Sequence, residues 1–444
     1  MTLRMHVAVL LASAALTPAV SAQEASEGVT MLEAITVTAQ RREQEAKDVP
    51  VSLRVFSRKD IEGRIVKRLD DAFAATPNAS LTSQRGGNDA SSLSIRGVTT
   101  TAFGADPSVG VYIDDVYVGN DNGFNMRTGD LEQIEILRGP QGTLYGRNAV
   151  GGAVNMRTAS PVLGVNSATI QTGVGTDGLV FGSATANVAF ADDAAARVTL
   201  HGDRSDGWLR NAQGGPDFMN LDNFGGRAKL LLAPADDWDI EFSADYAKDK
   251  GRKYGYGPFD TVWEDGVDHA IPNLDQTKNY GASLKSTWRL DFGDVVSVTA
   301  WRGAKAAGDG GNFTPLALQN GGYERDYGQF TQEVRANGET DRFNWTAGAF
   351  LLSSKEKRFG YAGFYPALPS DFLFPGQPAL PANYREGTQS DVDSLTMSLF
   401  GDITWRLTDR LDLIGGARLS YDRKSIDYDH GSNLGAFAFL APGI

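Results

Sequence analysis

Cysteine is absent from the 444 residues, and histidine nearly so, with four. The first absence excludes thiolate catalysis, Cys-ligated zinc, iron–sulfur centres and a disulfide framework. His201, His269 and His430 are scattered and give no metal-ligand spacing. Positive charge is also short: 42 Lys and Arg against 55 Asp and Glu leave a net charge of −13. Phosphate would repel such a chain, so nucleic acid is not an expected partner. Long hydrophobic runs are missing too. The apolar stretch at 7–16 falls short of the roughly 20 residues a membrane-spanning helix needs, and no later stretch reaches that length. No paired carboxylates or nucleophile–base arrangement suggests an enzyme.

Glycine is abundant, at 51 residues, without a collagen-type period. The first 22 residues have the parts of a secretory signal peptide. Arg4 supplies the positive end, 7–16 the apolar centre, and Val20, Ser21 and Ala22 the small residues before a cleavage point. The mature chain is therefore expected to be exported.

Beyond the signal the chain changes style near Pro161. Residues 23–48 are polar and read as a flexible segment with one β-prone run, Ile35, Thr36, Val37, Thr38 and Ala39. Residues 49–160 alternate short β-branched runs (49–56, 92–95, 109–118, 133–137, 153–157) with glycine-rich turns. One helix is expected from Asp60 as N-cap, with Ile61, Ile65, Leu69 and Phe73 at helical spacing. This predicts a small α+β domain. Gly139, Gly142 and Gly146 lack the Lys of a phosphate-binding loop and are read as turn and close-approach glycines.

From about Asn166 the pattern becomes two-residue alternation. Trp238, Ile240, Phe242, Ala244 and Tyr246 fall on one face of a strand, and Asp239, Glu241, Ser243 and Asp245 on the other. The runs from Leu395 to Trp405 and from Leu411 to Tyr421 repeat it. About eleven strands are counted, joined alternately by short turns (191–193, 234–237, 291–294, 337–341, 408–410) and long loops (204–222, 251–278, 308–325, 358–390). Apolar-out, polar-in strands of about 9–11 residues or more, with aromatic ends, are those of a transmembrane β-barrel rather than a soluble sandwich. The domain at 49–160 has the size of a plug for a wide barrel.

The residues themselves resemble TonB-dependent outer-membrane receptors. The resemblance is carried by 32–42 (LEAITVTAQRR), 93–97 (LSIRG), 109–117 (VGVYIDDVY), 131–146 (LEQIEILRGPQGTLYG), 151–155 (GGAVN) and, in the barrel, 330–335 (FTQEVR). It implies an α+β plug domain followed by a transmembrane antiparallel β-barrel, 22-stranded in the family and incomplete here. The implied organisation is a signal peptide at 1–22, a flexible segment with the TonB box at 23–48, the plug at 49–160 and the N-terminal half of the barrel at 161–444. The chain is accordingly expected to be a piece of a longer receptor, inactive by itself.

The resemblance further implies a Gram-negative outer-membrane protein, monomeric and surrounded by lipid and lipopolysaccharide. It would take up a scarce small-molecule ligand, commonly a ferric siderophore, with energy from TonB, ExbB and ExbD. No permanently bound cofactor is implied; the iron chelate is cargo. TonB would pair with the box Ile35–Thr36–Val37–Thr38–Ala39 as an added strand, a recognition mode that a β-prone run in a polar tail suits. Plug arginines matching Arg96 and Arg138 would pair with a lumen-facing barrel glutamate, for which the alternation offers Glu333. Candidate ligand contacts are Arg85, Asn88, Phe103 and Asp106 in plug loops, and Tyr254, Tyr256 and Tyr323 in barrel loops. Cobalamin, haem, oligosaccharide and aromatic ligands stay open, as does a passive porin-like barrel. A signalling receptor is disfavoured by the short stretch before the box.

Overall fold

The computed structural model describes residues 35–63, 66, 68–83, 91–100, 106–124, 129–212, 214–252, 260, 262–267, 274–310, 319–364 and 385–432. The predicted signal peptide, and Ile65 of the predicted helix, lie outside them.

The first part holds β1 (Thr36–Val37), β2 (Gln44–Glu45), β3 (Ser52–Ser57), α1 (Arg58–Gly63), α2 (Leu69–Ala74), β4 (Ala79–Ser83), β5 (Ser91–Ile95), β6 (Val109–Ile113), β7 (Val116–Tyr117), β8 (Leu131–Arg138), α3 (Gly142–Tyr145) and β9 (Gly152–Thr158). A five-stranded sheet runs in the order β3-β8-β9-β6-β7, with β6 parallel to β9 and the other neighbours antiparallel. All of β6 is buried, as expected of a strand covered on both faces. Phe56, Phe73, Ile95, Val111, Ile134, Val154 and Met156 form the core. Gly152 is required by packing: a Cβ there would lie 2.2 Å from the Leu137 carbonyl.

Two expectations are corrected in this part. The single helix is two short ones, and Asp60 lies inside α1 rather than capping it. Ser57 caps instead: its Oγ accepts from the Asp60 N–H at 3.3 Å, while Asp60 Oδ2 accepts from the Ser57 N–H at 3.1 Å, a reciprocal capping box. The described residues of 23–48 are also not a loose tail. Val37, Ala39 and Arg41 are buried against Tyr112, Leu137 and Tyr145, because apolar side chains at alternate positions give the segment one face to bury.

The second part is one antiparallel sheet of eleven strands, matching the count from sequence. They are β10 (Ser167–Val174), β11 (Val180–Ala191), β12 (Ala194–Ser205), β13 (Leu221–Ala235), β14 (Trp238–Gly251), β15 (Asp275–Leu290), β16 (Gly293–Gly310), β17 (Gln319–Glu339), β18 (Phe343–Phe364), β19 (Arg385–Thr408) and β20 (Leu411–Ser432). A short helix, α4 (Val262–Asp265), precedes β15. Among the described residues no ladder joins β10 to β20, and the sheet is open.

The five expected short turns are observed. At their end of the sheet three aromatic pairs stack: Trp238–Trp288 and Phe343–Trp405 across neighbouring strands, and Phe292, in the β15–β16 turn, on Trp345 of β18. Phe242, Val334, Leu399 and Ile403 face outward and exposed, while Ser243, Thr331, Glu333 and Thr396 face inward and buried. Two of the long loops are trimmed at their ends, since 308–310, 319–325, 358–364 and 385–390 are strand. β19 has 24 residues, about twice what a tilted crossing needs. The surplus carries outward charge, with Lys355–Asp393 and Lys357–Asp391 paired on the exposed surface of β18 and β19.

Candidate functional site

The segment expected to be the box forms a small hairpin with β2, in the register Thr36↔Glu45 and Val37↔Gln44. It lies at the short-turn end of the barrel. Asn337 of β17 donates to the Arg41 carbonyl at 3.1 Å, and Arg42 donates to Thr404 of β19 at 3.4 Å. Ile35 is at the margin of the described residues and exposed. Thr36, Val37, Thr38 and Ala39 run along the plug sheet.

Arg41, two residues past the box, is its deepest charge. Its guanidinium carbon lies 4.5 Å from the ring centroids of both Tyr112 and Tyr145, a double cation–π contact. The same group pairs with Asp115 at 3.2 Å and with Glu333 of β17 at 3.7 Å. Burial works against its charge, but Glu333, Tyr145, Tyr112 and Asp115 more than offset this and hold its pKa above the ordinary value.

Asp115 belongs to a turn that carries much of the plug–barrel contact. Asp114 and Asp115 connect β6 to β7 with φ of 49° and 70°, the positive values of a tight hairpin turn that Asp tolerates better than most residues. Both carboxylates point at the barrel wall. Asp114 meets Arg227 and Lys229 of β13, each at 3.2 Å. It also accepts from the N–H and hydroxyl of Thr158 at 2.8 and 2.6 Å. Asp115 meets Lys285 of β15 at 2.8 Å and Arg335 of β17 at 3.1 Å. Burial alone would raise both acids, yet Lys229 and Arg227 hold Asp114 below the usual carboxylate range, and Arg335, Lys285 and Arg41 hold Asp115 well below it.

The pattern repeats around the interface. Asp130 is held by Arg197 of β12, Asp121 by Arg325 of β17 at 2.7 Å, and Asp106 by Lys424 of β20 at 3.1 Å. The reverse polarity appears at Arg68–Asp249 and Arg41–Glu333. Plug acids on barrel bases therefore dominate. Backbone contributes as well: Gln329 of β17 donates to the Tyr117 carbonyl at 2.6 Å and accepts from the Gly119 N–H at 2.9 Å. A Cβ on Gly119 would lie 2.2 Å from the Tyr327 hydroxyl oxygen.

Of the expected locking residues, Glu333 faces inward and is buried, as its parity required. Its partners are Arg335 at 2.7 Å and Arg41 at 3.7 Å, not Arg96 or Arg138. Arg96 is exposed and packs over Gly139, so the two Arg–Gly segments adjoin each other instead of reaching β17. Of the expected ligand contacts, Arg85, Asn88, Phe103, Tyr254 and Tyr256 lie outside the described residues. Asp106 bridges Arg147 and Lys424, each at 3.1 Å. Tyr323, expected in a loop, is buried on β17 and donates to Asp275 at 3.2 Å. The two hold separate partners.

Asp114, Asp115 and Arg41 were given no role from sequence. Two acids between the β-branched runs 109–113 and 116–117 do signal a tight turn, and a buried hairpin tip with two charges demands partners.

The family model for the TonB-dependent receptor plug domain matches residues 45–153. The pesticin receptor of Yersinia enterocolitica is 27% identical over 371 residues, covering 78% of this chain and 49% of that protein. The iron-regulated outer membrane virulence protein of Vibrio cholerae is 33% identical over 132 residues, covering 28% of this chain and 20% of that protein. The solved ferric yersiniabactin uptake receptor FyuA of Yersinia pestis superposes with a TM-score of 0.76 at 23% identity, over 87% of this chain and 59% of that one. The ferripyoverdine receptor of Pseudomonas aeruginosa superposes with a TM-score of 0.67 at 13% identity, over 89% and 55%. The chain spans about half the length of the pesticin receptor it matches.

Proposed function

Starting from a chain that is the plug and part of the barrel of a TonB-dependent receptor, we propose that it serves the uptake of a scarce ligand across the outer membrane, gated by the plug and driven through TonB. The family and fold are those of transport receptors. The observation that carries the reading is the place of the box. Residues 36–39 lie at the short-turn end, which in transmembrane barrels faces the periplasm. Two residues on, Arg41 enters the ion pairs that join plug to barrel. A pull on the box acts first on Arg41 and, through Asp115 and Glu333, on the plug's hold on β15 and β17.

A ferric siderophore is the proposed ligand class. Support comes from the ferric yersiniabactin uptake named for one structural neighbour, the bound ferripyoverdine named for another, and the iron regulation named for the Vibrio protein. Residues 1–22 are proposed to direct export.

The test is uptake of radioactive iron, presented as a panel of chelates, by a receptor-null strain expressing the complete receptor. Uptake of at least one chelate is expected, and Val37→Pro, which removes a strand hydrogen bond, is expected to abolish it. Uptake unchanged by deleting 33–40 would favour a passive barrel and overturn the reading. The 444-residue chain alone is expected to give no uptake.

A further inference from the structure

The box is held by side chains that stand in for a strand. The Thr36 carbonyl and Thr38 N–H, two residues apart, lie on one edge of the extended segment. β8 runs beside them, but its own backbone is taken on both edges by β3 and β9. It offers side chains instead. Gln133 Nε2 donates to the Thr36 carbonyl at 2.9 Å. Glu135 Oε1 accepts from the Thr38 N–H at 2.8 Å and from its hydroxyl at 3.2 Å. Asn155 of β9 donates to Thr38 Oγ1 at 2.9 Å and to Glu135 Oε2 at 3.4 Å, steadying the acceptor. Gln133, Glu135 and Asn155 are all buried. As alternate residues of β8, Gln133 and Glu135 share a face. They present one donor and one acceptor at the two-residue repeat with which a paired strand presents its N–H and C=O.

We infer that Gln133 and Glu135 form a strand mimic that masks the pairing edge of residues 36–38, so that a strand-adding partner binds only after displacing both. The inference rests on the reading above, in which that partner is TonB. It locates the control of engagement in two plug side chains rather than in the box sequence. The box's backbone groups are satisfied at rest, and a partner strand competes for the Thr36 carbonyl and the Thr38 N–H. Arg41, caged by Tyr112 and Tyr145, fixes the segment's far end but touches neither group.

The experiment uses the complete receptor in detergent micelles without ligand, with the purified periplasmic domain of TonB as probe. Capture of that domain and amide hydrogen exchange over residues 36–39 are measured together. In Gln133→Ala/Glu135→Ala, capture is expected to rise at least ten-fold and exchange at Thr38 to quicken. In Glu135→Gln, whose side-chain carbonyl still accepts the Thr38 N–H, both are expected to stay near wild type. Quicker exchange in the double variant without a gain in capture would overturn the inference, as would a gain in Glu135→Gln equal to that of the double variant. Should the double variant lose the slow exchange of β8 itself, Gln133→Met/Glu135→Met decides: it fills the same space without the donor and the acceptor, and no gain in capture with β8 still protected then overturns the inference. Deleting 35–39 in the double variant separates the two readings. Gained capture must vanish; if it persists, TonB binds elsewhere and the box assignment fails instead.

Discussion

The plug and the barrel solve burial in opposite ways. The plug turns Phe56, Phe73, Ile134 and Val154 inward around one apolar core. The barrel turns most of its apolar side chains outward, as at Leu399 and Val334, and buries Thr331, Glu333, Arg335 and Thr396. Where the two meet, most contacts are made by charge and hydrogen bond, and apolar packing is confined to two patches: Val116 on Val296, Val298 and Ala300 of β16, and Leu144 and Tyr145 with Leu352 and Phe400 of β18 and β19. The charged contacts add little over apolar packing when complete and are costly when half-made. That combination suits a part that is seated and released as a unit.

The sharpest way to break the comparison is at the Asp114–Asp115 turn. Asp115→Ala leaves Lys285 and Arg335 facing the lumen without their shared carboxylate, and Asp114→Ala does the same to Arg227 and Lys229. Each is expected to weaken plug seating by about 2–4 kcal/mol, short of the full cost of an uncompensated buried charge because Arg335 keeps Glu333 and Lys229 keeps Glu241. Protease sensitivity of the plug in membranes, and leakage of large antibiotics into expressing cells, check it. A plug-core change such as Phe73→Ala should instead unfold the plug without sparing its sheet.

Arg41→Ala comes next. It loses two cation–π contacts and two ion pairs, but Asp115 keeps Lys285 and Arg335. The expected effect is about 2–4 kcal/mol on docking of residues 36–45, read as faster amide exchange there with the plug sheet still protected. Gly119→Ala sets a Cβ against Tyr327 and Gln329 and is expected to cost about 1–3 kcal/mol of plug seating by overpacking, measured by thermal unfolding. Leu399→Ala, on the lipid face, should leave seating unchanged.

Acid gives a graded version of the first test. Asp114 and Asp115 are held below the usual carboxylate range, so their stabilisation is complete above the unfolded-state pKa of about 3.9. It is lost as pH falls through their lower folded values. Plug seating should therefore be flat from neutral pH down to about 4 and fall only below that, in a pH series of thermal unfolding. Loss of seating near pH 6 would mean another group controls it. The smallest effect is expected at Lys355→Ala, on the exposed Lys355–Asp393 pair, at about 0.5 kcal/mol or less. A larger change would show that the exterior charges do more than keep the long strands wet.

The barrel was largely legible in the sequence, and the joint between barrel and plug was not. A strand repeats every two residues, so Trp238 to Tyr246 declares both its faces locally. The short turns declare themselves as well, through Asp and Gly at strand ends. The contact of Asp115 with Arg335 spans 220 positions and depends on which wall a hairpin tip meets, which no local pattern encodes. Glu333 was placed correctly in the lumen by parity, yet parity says nothing of its partner. The first helix starts at Arg58 because Asp60 joins Ser57 in a reciprocal cap, and a second opens at Leu69, where Asp71 accepts from the Arg68 N–H; these are short-range hydrogen-bond choices that apolar spacing does not reveal. Residues 35–39, the expected box, read in the sequence as a β-prone run. Its burial was missed because Gln133 and Glu135, which hold it, lie almost a hundred residues away.

The stacked aromatics fix more than the barrel's exterior. Trp345 stacks on Phe292 and pairs across the ladder with Gly338, one residue from the Asn337 that holds the Arg41 carbonyl. If those rings lie at the headgroup level, as aromatic girdles do, they draw a waterline, and the box hairpin floats at it. Under the proposed function, a partner arriving from the periplasm then has no lumen to enter. It needs only to come flush with the membrane surface, and every step it draws the chain downward moves that chain out of the membrane's thickness.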